Sequence, residues 1–183
     1  MKEIPNKQVY HQASPPSANS SIAIYAGTFD PITMGHIGVL VKSLKLFSKL
    51  IIAVAEDTTK NTFFHIDKRV EMVKSSVSEI GIQNVEVLGF KGLLVDFAEQ
   101  KNCNILVRGL RALSDFEYEF QLANINSMLN TNMQTIFIPA SEYEQWISSS
   151  MVKQTAKLGA DVSKFVTPSV KKALCGFNFN GCT

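Results

Sequence analysis

The chain has 183 residues, of which 45% are hydrophobic and 19% charged, and a formal net charge of +2. That length and balance fit one globular domain with a proper core. No apolar run approaches the roughly 20 residues of a membrane helix, and a charge so near neutral gives no ground for a nucleic-acid binder. Cys103, Cys175 and Cys182 are odd in number and lack metal-ligand spacing, which fits a reducing compartment. The opening Met-Lys-Glu-Ile-Pro lacks the apolar core of a signal peptide. The expected location is therefore the cytoplasm.

Residues 1–20 are polar and contain Ser14-Pro-Pro-Ser17; they are expected to be a flexible extension. A single domain is expected over 21–175, with a short tail at 176–183. Ile22 to Ala26 is an apolar run of strand length, broken by Gly27. Past Thr33 the spacing becomes helical, with Ile37, Leu40, Val41 and Leu44 on one face. Leu50 to Ala55 is a second buried strand, followed by a polar loop through Lys60. Ile66, Val70, Val73, Val77 and Ile80 form a helical stripe. Asn84 to Phe90 is a third strand and Leu93 to Gln100 a short helix. Asn104 to Val107 is a fourth strand, opening with the small hydrophobe Cys103 and ending directly at Arg108. Ser114 and Glu117 read as a capping box for a helix reaching Leu129. Thr135 to Ile138 is a fifth strand, Ser148 starts another helix, and Pro168 opens the last as a first-turn proline.

Strands alternating with helices predict an α/β fold: a Rossmann-like, doubly wound, parallel five-stranded sheet with helices on both faces. Ligands then sit at the carboxyl ends of strands, near the switch in strand order. The polar clusters obey that rule. Thr28 to His36 follows the first strand, Lys60 the second, Arg108 to Arg111 the fourth, and Ser148 to Ser150 the fifth.

The turn from Gly27 to His36 suits a phosphate. A helix start leaves amide donors unpaired and carries about half a positive charge. Gly27 and Gly35 allow close backbone approach, and Thr28 and Thr33 supply hydroxyls. His36 lies in the first helical turn, where the dipole favours a neutral imidazole. Taken singly, His36 reads as a cap and Lys60, Arg108 and Arg111 as solvated charges; Asp30 reads as a turn residue, Asp115 and Glu117 as helix-start residues. Taken together, cations at strand ends facing a helix start make a polyanion site. No Ser-His-Asp or Cys-His set assembles, so the chemistry points to phosphoryl or nucleotidyl transfer by positioning and charge stabilisation.

Gly27-Thr-Phe-Asp-Pro-Ile-Thr-Met-Gly-His36 resembles the signature of nucleotidyltransferases carrying a T-x-G-H motif, here Thr33-Met-Gly-His36. Within them the chain is similar to the bacterial phosphopantetheine adenylyltransferase family, from about Ile22 to Leu174. Two further signatures carry the likeness: Arg108-Gly-Leu-Arg-Ala-Leu-Ser-Asp-Phe-Glu-Tyr-Glu119 and Ile147-Ser-Ser-Ser-Met-Val-Lys153.

The resemblance implies transfer of AMP from ATP to 4′-phosphopantetheine, giving dephospho-coenzyme A and pyrophosphate. By matching motif it implies His36, Lys60 and Arg108 as the catalytic residues. Thr28, Lys60, Leu94 and Arg108 would meet phosphopantetheine. Thr28, Phe29, His36, Gly109, Leu110, Arg111, Glu119, Glu144, Gln145, Trp146, Ile147, Ser148, Ser149 and Ser150 would meet ATP. Mg²⁺ would arrive with ATP, without protein ligands. A homohexamer and coenzyme A as a feedback ligand are implied in the same way; neither a nucleic-acid nor a membrane partner is. The stretch 139–146 departs from the commonest family version, and Gly92 stands where relatives often carry a polar residue. The alternatives are transfer to nicotinate mononucleotide or glycerol phosphate, and a nucleotide or coenzyme A sensor without turnover.

Overall fold

The computed structural model describes residues 21–56, 61–111 and 113–176, with the side chains of 113–115 outside that description. The extension expected at 1–20, Lys60 and the tail from 177 onward therefore lie outside the described residues.

Successive side chains of a strand point to opposite faces of the sheet, and the apolar runs follow that period. In β1 (Ile22–Gly27), Ala23 and Tyr25 enter one core while Ile24 and Ala26 enter the other. In β2 (Lys49–Ala55), Leu50, Ile52 and Val54 divide from Ile51 and Ala53 in the same way. Side chains of this size, fully buried, each contribute about 1.5–3 kcal/mol. Both faces must therefore be covered, as the α/β reading requires.

The first face carries α1 (Met34–Ser43), α2 (Ile66–Ile80), α5 (Ser149–Lys157) and α6 (Pro168–Cys175), through residues such as Leu40, Val73, Val152 and Val170. The second carries α3 (Leu94–Gln100), with Val95, Phe97 and Ala98 inward. On that face α4 (Leu113–Leu129) lies along β4 (Ile105–Leu110) and β5 (Gln134–Pro139) and touches α3. With β3 (Val85–Phe90), the strand order is β3-β2-β1-β4-β5, all parallel. The switch point falls between β1 and β4.

Several elements differ from the sequence reading. β4 runs through Arg108 to Leu110, so Arg108 lies within the strand and pairs in register with Phe137. α4 begins at Leu113, which puts Ser114 inside the first turn rather than at the cap. In α1 Val39 is buried together with the expected Ile37 and Leu40, while Val41 is exposed, because the helix lies close over Gly109 of β4. Other boundaries hold to within a residue or two. Ser148 caps α5 by accepting from the Met151 amide at 3.1 Å, and Pro168 opens α6.

Candidate active site

β1 delivers the chain into a turn of six residues whose backbone is held from several sides. Phe29 is buried with φ at +47°, a left-handed conformation that costs an L-residue about 1–2 kcal/mol. Its ring sits edge-on to Tyr25 at 5.3 Å and to His36 at 5.1 Å, and that packing holds the strained backbone. Burial pushes the Tyr25 phenol well above its ordinary pKa, against the opposing charges of Arg108 and Arg111. The Asp30–Pro31 peptide is cis.

Thr33 is the N-cap of α1 and forms a reciprocal capping box with His36. The Thr33 amide donates to His36 Nδ1 at 3.0 Å, and Thr33 Oγ1 lies 3.0 Å from the same nitrogen. A backbone N–H can only donate, so Nδ1 is the acceptor and the neutral ring carries its proton on Nε2. The helix start is less open than the sequence reading expects. The Met34 amide donates to Phe165 O at 2.8 Å, and the Thr33 amide is taken by His36 Nδ1. His36 is thus the oriented donor of this turn.

The third signature is clasped to the first. Ser149 Oγ donates to Pro31 O at 2.8 Å, and Thr33 Oγ1 donates to Ile147 O at 3.4 Å. Lys153 Nζ meets Asp30 Oδ2 at 2.6 Å. The three serines therefore divide their work: Ser148 caps α5, Ser149 holds the turn, and Ser150 is exposed. A short 3-10 turn, Glu144–Trp146, precedes them and leaves Trp146 exposed. Glu144 turns its carboxylate inward over Gly38 and accepts from the Ser141 amide at 3.1 Å.

The second signature reaches the same edge from β4. Arg108 donates from a terminal guanidinium nitrogen to Ala26 O at 2.8 Å, and its Nε lies 2.9 Å from Glu119 Oε2. Two residues expected to serve different substrates are therefore an ion pair here. Arg111 is exposed, and the Leu110 carbonyl accepts from Ala140 at 2.8 Å. Leu94 begins α3 half-buried against the second core, away from the turn in sequence but at the same strand ends.

The glycines also make room within the protein itself. A Cβ on Gly35 would sit 2.7 Å from Ile147 O and 3.1 Å from Glu144 O; one on Gly109 would sit 2.8 Å from Val39 Cγ2. A Cβ on Gly27 would meet the Phe29 ring at 3.1 Å. Their missing Cβ atoms make room for the protein's own neighbouring segments.

Three residues were missed. Asp30, taken for a turn residue, is 4% exposed and accepts from the amides of Phe63 at 2.8 Å and Phe64 at 2.9 Å as well as from Lys153. Lys153 stood in a quoted signature without a role. Arg69 is 1% exposed, and it donates to Thr28 O, Ala55 O and Phe64 O. Burial draws its pKa down, while Asp30 and Glu56 oppose that. Its signal was available: position 69 falls on the apolar stripe of α2, where a cation is costly.

Comparison with known proteins follows the same lines. Residues 24–155 match the cytidylyltransferase-like family. A phosphopantetheine adenylyltransferase of Wolbachia pipientis from Culex pipiens is 49% identical over 160 residues, covering 87% of this chain and 95% of its own. The enzyme of that name from the Wolbachia of Brugia malayi is also 49% identical, with the same coverage. Among solved structures, Plasmodium falciparum nicotinic acid mononucleotide adenylyltransferase in complex with NaAD shares the fold with a TM-score of 0.64 at 16% identity, over 88% of this chain and 98% of that one.

Proposed function

This chain belongs to the phosphopantetheine adenylyltransferases of the cytidylyltransferase-like family, and from that premise we propose that it transfers the adenylyl group of ATP to 4′-phosphopantetheine. A phosphate oxygen of the acceptor attacks the α-phosphorus, a new P–O bond forms, and the bond to the β-phosphate oxygen breaks. Dephospho-coenzyme A and pyrophosphate leave. The acceptor phosphate is already anionic at neutral pH, so no general base is needed. The barrier is the approach of two anions, which positioned donors lower by about 3–4 kcal/mol each.

The observation that carries this reading is the Thr33 amide bonded to His36 Nδ1. It supports a role for Nε2–H as a donor to charge developing on the α-phosphate. Arg108 and Lys60 hold the incoming phosphate, with Thr28 between the two substrates and Leu94 along the pantetheine arm. Gly109, Leu110, Arg111, Glu119 and the stretch from Gln145 to Ser150 face ATP. Glu144 acts there through its backbone, since its carboxylate is held inward.

Among the described residues, no group of three His, Cys, Asp or Glu side chains could cage a metal. Asp30, the buried carboxylate of the turn, already holds two amides and a lysine. No protein ligands are assigned to Mg²⁺ in this reading, and it enters as the ATP complex. The proposed location is the cytoplasm; no described helix is long and apolar enough to cross a membrane. A homohexamer is supported by α4, which exposes Tyr118, Phe120, Ile125, Met128 and Leu129, more apolar surface than a free helix face ordinarily shows. Coenzyme A, which shares the pantetheine arm, is the feedback ligand of the same cleft.

The test is pyrophosphate release from ATP and Mg²⁺ with 4′-phosphopantetheine, nicotinate mononucleotide or glycerol phosphate offered separately. Release with phosphopantetheine alone, with dephospho-coenzyme A formed, is the expected result. Release with another acceptor would overturn the substrate, and folded protein that binds ATP without releasing pyrophosphate would overturn turnover itself.

A further inference from the structure

Arg69 is a charge placed where the stripe of α2 asks for an apolar residue. A buried ion is unfavourable unless its donors are matched, and replacing such groups with well-packed apolar side chains is often neutral or stabilising. Packing alone gives no reason for it. Its contacts do. The guanidinium donates to Thr28 O at 2.7 Å, Ala55 O at 2.7 Å and Phe64 O at 3.0 Å. These carbonyls belong to three separate segments: the turn after β1, the end of β2, and the approach to α2. Ala55 and Phe64 stand on either side of the stretch that carries Lys60 in the sequence.

We propose that Arg69 is a positioning residue for the adenylyl transfer, setting the Thr28 turn, the end of β2 and the approach to α2 at fixed distances around one rigid fork. A guanidinium is planar, and its donors leave in fixed directions. Three carbonyls gathered on it cannot shift independently. Asp30 does the complementary task from the turn, taking the Phe63 and Phe64 amides at 2.8 and 2.9 Å. Between them the two charges grip both the carbonyl and the amide of Phe64. The consequence falls on the acceptor side, where Thr28 and Lys60 meet the incoming phosphate. The inference rests on that assignment of Thr28 and Lys60.

The test uses the full chain, wild type and the variants Arg69→Lys, Arg69→Gln and Asp30→Asn, with phosphopantetheine and ATP varied in turn. Lysine keeps the charge and loses the fork. The expected result for Arg69→Lys and Arg69→Gln is a KM for phosphopantetheine raised at least tenfold, with a smaller rise in the KM for ATP, which Thr28 also meets. Asp30→Asn, which keeps the shape of the side chain, raises the phosphopantetheine KM in the same direction. A purely structural role would lower kcat through the folded fraction and leave both KM values in place; that outcome overturns the proposal. So does an equal rise in both, or full rescue by lysine, which would make charge and not geometry the agent. Failure of all three variants to fold would also overturn it, since the residues would then hold up the domain rather than the site. A wild type inactive with phosphopantetheine would defeat the functional reading beneath the proposal. An active wild type whose variants keep their acceptor KM would defeat the proposal alone.

Discussion

Gly35→Ala sets two well-known effects against each other. Alanine is favoured over glycine inside a helix by about 1 kcal/mol, and no unusual backbone angle at Gly35 opposes the change. The added Cβ, however, would lie 2.7 Å from Ile147 O and 3.1 Å from Glu144 O. Both are backbone atoms and cannot rotate away. Opening the shorter contact from 2.7 Å to an ordinary 3.4 Å requires α1 and the 144–147 stretch to part by about 0.7 Å. Overpacking of this kind costs about 1–3 kcal/mol, so the net change in stability is a loss of up to about 2 kcal/mol. Activity should suffer more. The displaced atoms tie the His36 helix to the start of α5, and misplacement by about 1 Å can cost a hundredfold in rate. The expected result is a kcat lowered by about tenfold or more in protein whose melting temperature falls only by a few degrees. Gly38→Ala, three residues on, is the control. There the obstruction is the Glu144 carboxylate, the far end of a flexible side chain, which can swing aside with loss of its bond to Ser141. That variant should stay near wild type in stability. Thermal unfolding and pyrophosphate release measure both. A Gly35→Ala protein that melts higher and turns over normally would refute the packing analysis of this junction.

Two further predictions concern single groups. His36→Ala should lower kcat by about a hundredfold or more, with smaller changes in substrate affinity; nitrogen chemical shifts of the wild type should show the ring protonated on Nε2, and a proton on Nδ1 would contradict the bond from Thr33. Asp161 accepts from the Ser163 hydroxyl, Lys171 and the Ser163 amide, in that order of effect, and these hold its carboxyl far below its ordinary value of 3.8. A lowered folded-state pKa gives stability that is present above the unfolded value and lost as pH falls toward the folded one. Asp161→Asn should therefore lower the melting temperature at pH 7, and the gap to wild type should narrow below about pH 4; a gap that persists unchanged in acid would rule out the charge as its source.

The strands were legible as continuous apolar runs and the helices from apolar residues recurring every three to four positions, and Gly27, Ser148 and Pro168 mark boundaries by local chemistry. The cluster of loops at one sheet edge was legible from connectivity. Gly35 and Gly109 were legible as positions needing room, but not what needed it, because Ile147 O and Val39 arrive from segments far along the chain. Asp30 and Lys153 were hidden for the same reason: 123 residues separate them, and nothing local to either names the other. Arg108 ended a predicted strand because charge is rare inside a sheet, whereas its side chain is accommodated by Ala26 O and Glu119. Arg69 could have been found, as the one cation on a buried stripe.

The ladder between β1 and β4 explains why Arg108 is where it is. β2 pairs with β1 and with β3 along six residues each, and β4 with β5 along six, yet β1 and β4 are paired only through Ile24–Leu106 and Tyr25–Val107. The sheet is in effect two stiff plates joined by a short seam. The next rung would have joined Ala26 and Arg108, and there the guanidinium bolts the plates together by donating to Ala26 O. An anion that drew Arg108 off this carbonyl would also slacken the seam between the two plates.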